Sequence, residues 1–235
     1  MQTANVNQAE LDKFGALASS WWDPQGELKT LHDINPLRLG WIRTQAGTLA
    51  GCRVLDVGCG GGLLAEAMAA EGAQVTGIDL AQQSLQIARL HGHESGVRVH
   101  YECISAEDHA QQQAGQYDLV TCMELLEHVP DPAAIVRACA QLVRPGGLVC
   151  FSTLNRNAKS FLLAIVAAEY ILRMVPRGTH SYEQFITPSE LAVAARQAGL
   201  EVSAVNGLQY LPLTRQYQVS SDAGVNYLMA ARRPE

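Results

Sequence analysis

"VLDVGCGGG", Val54 to Gly62, decides how the rest of this chain is read. Its opening residues are a short apolar run of the kind that makes a buried strand. Asp56, Gly58, Gly60 and Gly62 then spell D-x-G-x-G-x-G. Glycines let the backbone take positive φ and let a ligand come close. "LLAEAMAAEG" (63–72) follows as a helix ended by Gly72. The loop is therefore a strand-to-helix turn at the carboxyl end of a strand, where open α/β sheets bind ligands. The dinucleotide fingerprint G-x-G-x-x-G fails here, because Leu63 holds the sixth position counted from Gly58. An acid directly before the loop also suits a cationic ligand better than a pyrophosphate.

The same rhythm extends on both sides. "CRVLDV" (52–57), "AQVTGID" (73–79), "VRVHYEC" (97–103), "YDLVTCM" (117–123) and "LVCFST" (148–153) read as five strands. Helices fall between them at 63–72, at 81–92 and from Asp131-Pro132 to about Val143, and "RPGG" (144–147) reads as a turn. Strands alternating with helices predict a doubly wound α/β fold with a mostly parallel sheet. Thr187-Pro188-Ser189-Glu190 begins a further helix with capping-box spacing. "LEVSAVNG" and "VNYLMAARR" read as two strands that add an antiparallel edge. Upstream, residues 7–22 look helical, with Asn7 and Glu10 at capping-box spacing, and Pro36 is expected as the first residue of a second helix. The chain reads as one domain, 1–235, with an N-terminal helical cap over 1–48 and an apolar helical insertion over 157–185.

Composition narrows the function. A formal net charge of -6 argues against nucleic acid as a partner, which normally meets a dense Lys/Arg face. The first residues lack the basic and apolar regions of a secretory signal. None of the six cysteines forms a C-x-x-C pair, so buried free thiols are expected rather than disulfides or zinc. Asp79 ends the second strand about 20 residues after the loop, where an acid commonly holds ribose hydroxyls. An adenosine-type cofactor is the expectation.

"MELLEHVPD" follows the fourth strand on the ligand side of the sheet. Glu124, Glu127 and His128 are spaced i, i+3 and i+4, so on a helical turn they share one face. Two acids and an imidazole can coordinate a divalent cation such as Mg²⁺. Alternatively His128 alone acts as general base, or the segment is a solvated acidic turn. His32 is a second base candidate, and Trp21 and Trp22 are candidates for an aromatic lid. His91 and His93 fit helix C-terminal capping better than metal binding.

"LDVGCGGG" with Asp79 resembles the class I S-adenosylmethionine-dependent methyltransferases over roughly residues 50–155. That resemblance implies S-adenosylmethionine and a seven-stranded sheet with a reversed last strand. "WWDPQGELKTLHDINPLRLGWI", "TCMELLEHVPDP", "FSTLNRN" and "AEYILRMVPRGTH" carry a narrower similarity, to the O-methyltransferase family of ubiquinone biosynthesis. It implies O-methylation of a polyprenylated catechol and of demethylubiquinol. It places Arg38 beside the cofactor carboxylate, Asp56, Gly58 and Gly60 in its loop, Asp79 at its ribose and Met123 against it. It also supports His128 and Glu127 as catalytic residues, and Glu124, Glu127 and His128 as metal ligands. Glu107 falls where such folds place an adenine contact. Another small-molecule methyltransferase and a nicotinamide dehydrogenase are the rival readings. A polyprenyl substrate further implies a cytoplasmic enzyme, peripheral on the inner face of a membrane and associated with other quinone-pathway enzymes. The apolar stretch "SFLLAIVAAEYILRMVP" (160–176) suits that role. Phe161 to Val175 would span roughly 22 Å as a helix, too little to cross a bilayer. Lys159, Arg173 and Arg177 would meet an anionic surface through 159–177.

Overall fold

The computed structural model describes residues 5–157, 160 and 184–235. Helix α1 (Gln8–Leu17) and a 3₁₀ turn (Ala18–Ser20) precede α2 (Lys29–Ala46). Then come β1 (Arg53–Val57), α3 (Leu63–Ala70), β2 (Gln74–Asp79), α4 (Gln82–Ser95) and β3 (Val99–Cys103). Next are α5 (Ala106–Gln113), β4 (Tyr117–Met123), a 3₁₀ turn (Leu126–His128), α6 (Pro132–Leu142) and β5 (Val143–Leu154). Helix α7 (Pro188–Gln197) leads to β6 (Glu201–Leu211), β7 (Gln216–Ser220) and β8 (Asn226–Arg232).

One sheet has the strand order β3-β2-β1-β4-β5-β8-β6-β7. Strands β1 to β5 are parallel. Strand β8 runs antiparallel between β5 and β6, and β7 closes the edge. The order reverses between β1 and β4, which opens a crevice at the carboxyl ends of those strands. Side-chain alternation splits the core in two. Leu55, Val120, Phe151 and Met229 pack on one face with residues of α6 and α7. Val54, Leu119, Cys150 and Leu228 pack on the other with residues of α3 and α4.

The sheet has eight strands where seven were expected. The extra one, β7, is a half-exposed edge strand, "QYQVS", joined to β6 through Pro212 to Arg215 without a glycine or asparagine turn signal. Helix α5 also escapes sequence pattern, because its buried face is Ala106, His109 and Ala110 rather than large apolar residues. Helix α2 starts seven residues before Pro36 and keeps that proline inside. Burial of Ile34 and Asn35, with Asn35 Nδ2 donating to the Leu63 carbonyl at 3.0 Å, holds the first turns despite the missing amide hydrogen. The "RPGG" run belongs to β5, which begins at Val143 and shifts register against β4. The capping box at Thr187 and Glu190 forms as expected. The apolar insertion falls almost entirely on 161–183, outside the described residues. No helix among the described residues is long and apolar enough to cross a membrane.

Candidate active site

The glycine loop is pinned to the end of β2. The Gly58 and Cys59 amides both donate to the Ile78 carbonyl, at 2.8 and 3.1 Å. The Gly60 amide donates to Asp79 Oδ2 at 2.9 Å, and the Ala81 amide to Asp79 Oδ1 at 2.8 Å. Gly58 has φ 72° and Gly60 φ 53°. A Cβ on Gly60 or Gly61 would overlap the Trp21 ring. These glycines are required both by the turn and by the tryptophan lying on them. Asp56 is buried and accepts from Thr121 Oγ1 at 2.7 Å. Burial pushes its pKa up to about 7, against the pull of Thr121 and Arg38. Burial also raises Asp79, partly offset by its backbone donors.

A cavity of about 600 Å³ opens at this end of the sheet, lined by Arg38, Asp56, Gly58, Gly60, Asp79, Met123 and His128 among others. Arg38 is buried, and its Nη2 lies 2.9 Å from Glu124 Oε1. Nε and Nη2 both lack a hydrogen-bond partner among the described residues. A buried guanidinium with free donors facing a cavity fits a carboxylate. With Asp79 across the loop, the residues fit the amino-acid and ribose ends of S-adenosylmethionine. The residues expected around the cofactor, Arg38, Asp56, Gly58, Gly60, Asp79 and Met123, all line this one cavity.

The predicted metal face is different. Glu124 sits at φ 53°, a conformation that breaks any helical turn before Leu126. Its carboxylate meets Arg38 and accepts from Ser152 Oγ at 2.7 Å and Asn226 Nδ2 at 3.3 Å. Glu127 is buried and accepts from Thr153 Oγ1 at 2.8 Å. Burial first, then the charge on Glu124, raises its pKa. His128 turns to Glu10, with Nδ1 2.8 Å from Glu10 Oε2. Among the described residues no group of three such side chains is placed to hold a metal ion. The donor set therefore does not fit Mg²⁺, and the expected i, i+3, i+4 face is replaced by three separate partnerships.

Burial lowers the His128 pKa, but the Glu10 hydrogen bond and the charge on Glu127 outweigh it, and the net shift is upward. Glu10 is shifted downward, chiefly by the same hydrogen bond. Glu10 was expected to cap its own helix. Its side chain instead reaches His128, 118 residues away. An unspent acid at a helix start was the one available signal. His32 bonds the Trp21 carbonyl at 2.9 Å, and His32 is not part of the cavity lining. His91, expected only to cap a helix, pairs with Glu66 at 2.8 Å and stacks on Trp22 with ring centroids 3.4 Å apart. Trp22 Nε1 also donates to the Gly61 carbonyl at 3.0 Å. Glu107 lines the cavity and accepts from Asn5 Nδ2 at 3.0 Å.

The family profile described as a methyltransferase domain matches residues 12–205. The ubiquinone biosynthesis O-methyltransferase of Bordetella avium (strain 197N) is 68% identical over 229 residues, covering 97% of this chain and 95% of that protein. The chain belongs to the ubiquinone biosynthesis O-methyltransferase family. A second member, from Thiobacillus denitrificans (strain ATCC 25259 / T1), is 62% identical over 98% of this chain and 99% of its own length. As a member of this family the chain is an S-adenosylmethionine-dependent O-methyltransferase. Among solved structures, magnesium protoporphyrin IX methyltransferase from Synechocystis PCC 6803 with bound SAH matches with a TM-score of 0.69. It is 18% identical over 96% of this chain and 98% of that one, a likeness of fold alone.

Proposed function

We propose that this O-methyltransferase acts on a ring hydroxyl of a polyprenylated catechol and of demethylubiquinol, two steps of one quinone pathway. The observation that carries the reading is full-length identity of 68% to a protein named for that pathway. The cavity supports it. Phe14, which meets the His128 ring edge-on, and Leu17, Leu31 and Val225 are apolar members of its lining. Bound S-adenosylmethionine supplies a sulfonium methyl ready for in-line displacement. Arg38 would hold the cofactor carboxylate and Asp79 its ribose, so that the bound donor would be oriented for transfer. A phenol ionises near pH ~10, so it needs a base at neutral pH. His128 Nε2, the ring nitrogen turned away from Glu10, takes that proton. The charge of Glu127 acts on His128 and raises its pKa. Turnover of a short-chain catechol and a demethylated quinol, against amine acceptors, tests the reading; methylation of amines only would overturn it.

The proposal extends to place. The enzyme docks reversibly on the inner face of a membrane, through 159–177 and its three basic residues, where the polyprenyl tail resides and other quinone-pathway enzymes are its partners. Apart from Ser160, that segment lies outside the described residues. Co-sedimentation with phosphatidylglycerol liposomes is expected for the wild type and lost in Leu162→Glu/Ile165→Glu. Equal sedimentation of both proteins would remove this part of the proposal.

A further inference from the structure

Strand β6 outruns the sheet at the ligand end. It is antiparallel to β8, as β5 is, so it runs in the same sense as β1 to β5. Its carboxyl end therefore lies at the edge that carries the glycine loop. Leu154 of β5, Asn226 of β8 and Leu208 of β6 stand on one rung, the last that the three strands share. Beyond it β6 continues to Leu211 with only β7 beside it. Tyr210 is thus about 7 Å past the rung, at ~3.4 Å per residue. One face of this hairpin changes its task along its length. Leu208 and its partner Val219 pack into the core with Trp41 and Ile42 of α2. Two residues on, the same face carries Tyr210 opposite Tyr217, with ring centroids 5.0 Å apart and planes at 50°. Both tyrosines line the cavity. Helix α2 follows the same course, because Thr30, Ile34 and Arg38, spaced i, i+4 and i+8 on one face, line the cavity too.

We propose that Tyr210 and Tyr217 form the wall against which the acceptor's aromatic ring lies, which makes the tip of this hairpin a specificity element of the enzyme. The inference rests on the reading of the acceptor as a catechol. Strand β6 is four places from β1 in the sheet, roughly 19 Å at about 4.8 Å per strand. Gly58, Gly60 and Asp79, which fit the cofactor, belong to the β1 end of the cavity, and the hairpin end is left to the second substrate. Helix α2 joins the two ends, since Thr30 is eight residues from Arg38, about 12 Å along the helix. Tyr217 shares a hydrogen bond with Thr30, which ties the hairpin tip to that helix. Burial pushes the Tyr217 hydroxyl up to about 12, so the phenol stays neutral and offers a surface rather than a base. Two aromatic rings edged by the polar side chains of Thr30 and Gln209 suit a ring that bears hydroxyls, which has a use for both kinds of group. An isoprenoid tail has no polar group to pair with them.

The test compares a tail-free catechol with a catechol bearing one isoprene unit, on the wild type, Tyr210→Leu and Tyr217→Leu. Calorimetry on the enzyme saturated with S-adenosylhomocysteine gives the catechol Kd, and turnover with S-adenosylmethionine gives KM and kcat. Leucine keeps the apolar bulk and removes the ring. Each substitution raises Kd and KM about 3- to 10-fold for both catechols. The change in kcat stays below about threefold, and S-adenosylhomocysteine affinity stays within about twofold. Tyr217→Phe, which keeps the ring, stays within about twofold of the wild type in Kd. Unchanged Kd for both catechols in the leucine variants would overturn the inference. A loss confined to the isoprene-bearing catechol would overturn it as well, because the wall would then hold the tail. So would a parallel loss of S-adenosylhomocysteine affinity, which would make the tyrosines a part of the fold. If the wild type neither binds nor methylates either catechol, the reading of the acceptor fails first and takes this inference with it. Wild-type methylation of catechols beside unchanged leucine variants removes the inference alone.

Discussion

The two sides of the cavity are built differently. The cofactor side is local: Gly60 and Asp79, joined by a 2.9 Å hydrogen bond, are 19 residues apart in sequence. It consists of one strand, one turn and the end of the next strand, locked by backbone amides. The acceptor side is assembled from distant pieces. Glu10 reaches His128 across 118 residues and Asn226 on β8 meets Glu124 across 102 residues, while Arg38, brought from α2, is the distant member of the cofactor side. Backbone bonds to a parallel sheet make the first side rigid. Side-chain contacts between distant elements hold the second side together.

Substitutions can break that contrast. His128→Ala should cause the largest loss, about 10²- to 10⁴-fold in kcat, with S-adenosylhomocysteine affinity retained. Stopped-flow turnover beside calorimetry reads both; a parallel loss of binding would mean that the two sides are one unit. Asp79→Ala should do the reverse. Losing a charged acceptor weakens S-adenosylhomocysteine binding by roughly 1.5–3 kcal/mol, or about 10- to 150-fold. Unchanged affinity would reduce Asp79 to a brace for Gly60 and Ala81.

Acidity tests the same division more gently. The base must be neutral, and the His128 pKa is raised above its ordinary 6.5. The acid limb of kcat/KM should therefore lie above pH 6.5, with about a tenfold fall per unit below it. Glu10→Ala removes the hydrogen bond that raises the pKa, so its limb should move to lower pH. Cap docking runs the other way. The raised His128 stabilises the fold fully below about pH 6.5, the ordinary histidine value, and that stability is lost as pH rises through its folded pKa. The lowered Glu10 contributes above its ordinary 4.5 and that contribution is lost as pH falls through its folded pKa. The Tm difference between wild type and Glu10→Ala should peak between these limits. A difference independent of pH would show that the ion pair does not hold the cap.

The smallest effect is expected far from the chemistry. Trp41 Nε1 donates to Asn206 Oδ1 at 3.0 Å, tying α2 to β6. Trp41→Phe should cost about 1 kcal/mol, or roughly 2–4 °C in Tm for a chain of this size. kcat should not change. A fall in kcat would extend the acceptor side to the far edge of the sheet.

What could be read from sequence follows the same line. The glycine loop and Asp79 were legible because strand, turn and acid lie within one local pattern, whereas Met123 was placed only through resemblance. Arg38 was legible only through resemblance, since nothing in "PLRLGW" points an arginine inward. The Glu124–Glu127–His128 spacing was visible, but the positive φ at Glu124 was not, and that one torsion separates the three side chains. Glu10 was read as a helix cap because capping is the local use of an acid there. Its actual partner depends on a tertiary contact that no spacing rule contains. Strand β7 and helix α5 were missed for want of large apolar residues, although each is fixed by neighbours already in place.

Strand β8 sets the order in which the molecule can be completed. It follows the seven other strands of the sheet in sequence, yet it lies inside the sheet, with Leu228, Met229, Ala230 and Ala231 fully buried between β5 and β6. During synthesis β1 to β5 can pair as they emerge, because each finds its neighbour among strands already made. The β6–β7 hairpin cannot join them until Asn226–Arg232 has left the ribosome and slipped into the gap. Until then β5 presents an open, apolar edge. The nascent enzyme therefore exposes that edge to aggregation and to chaperones from the time β5 forms until Asn226–Arg232 emerges, after its cofactor loop has already been built.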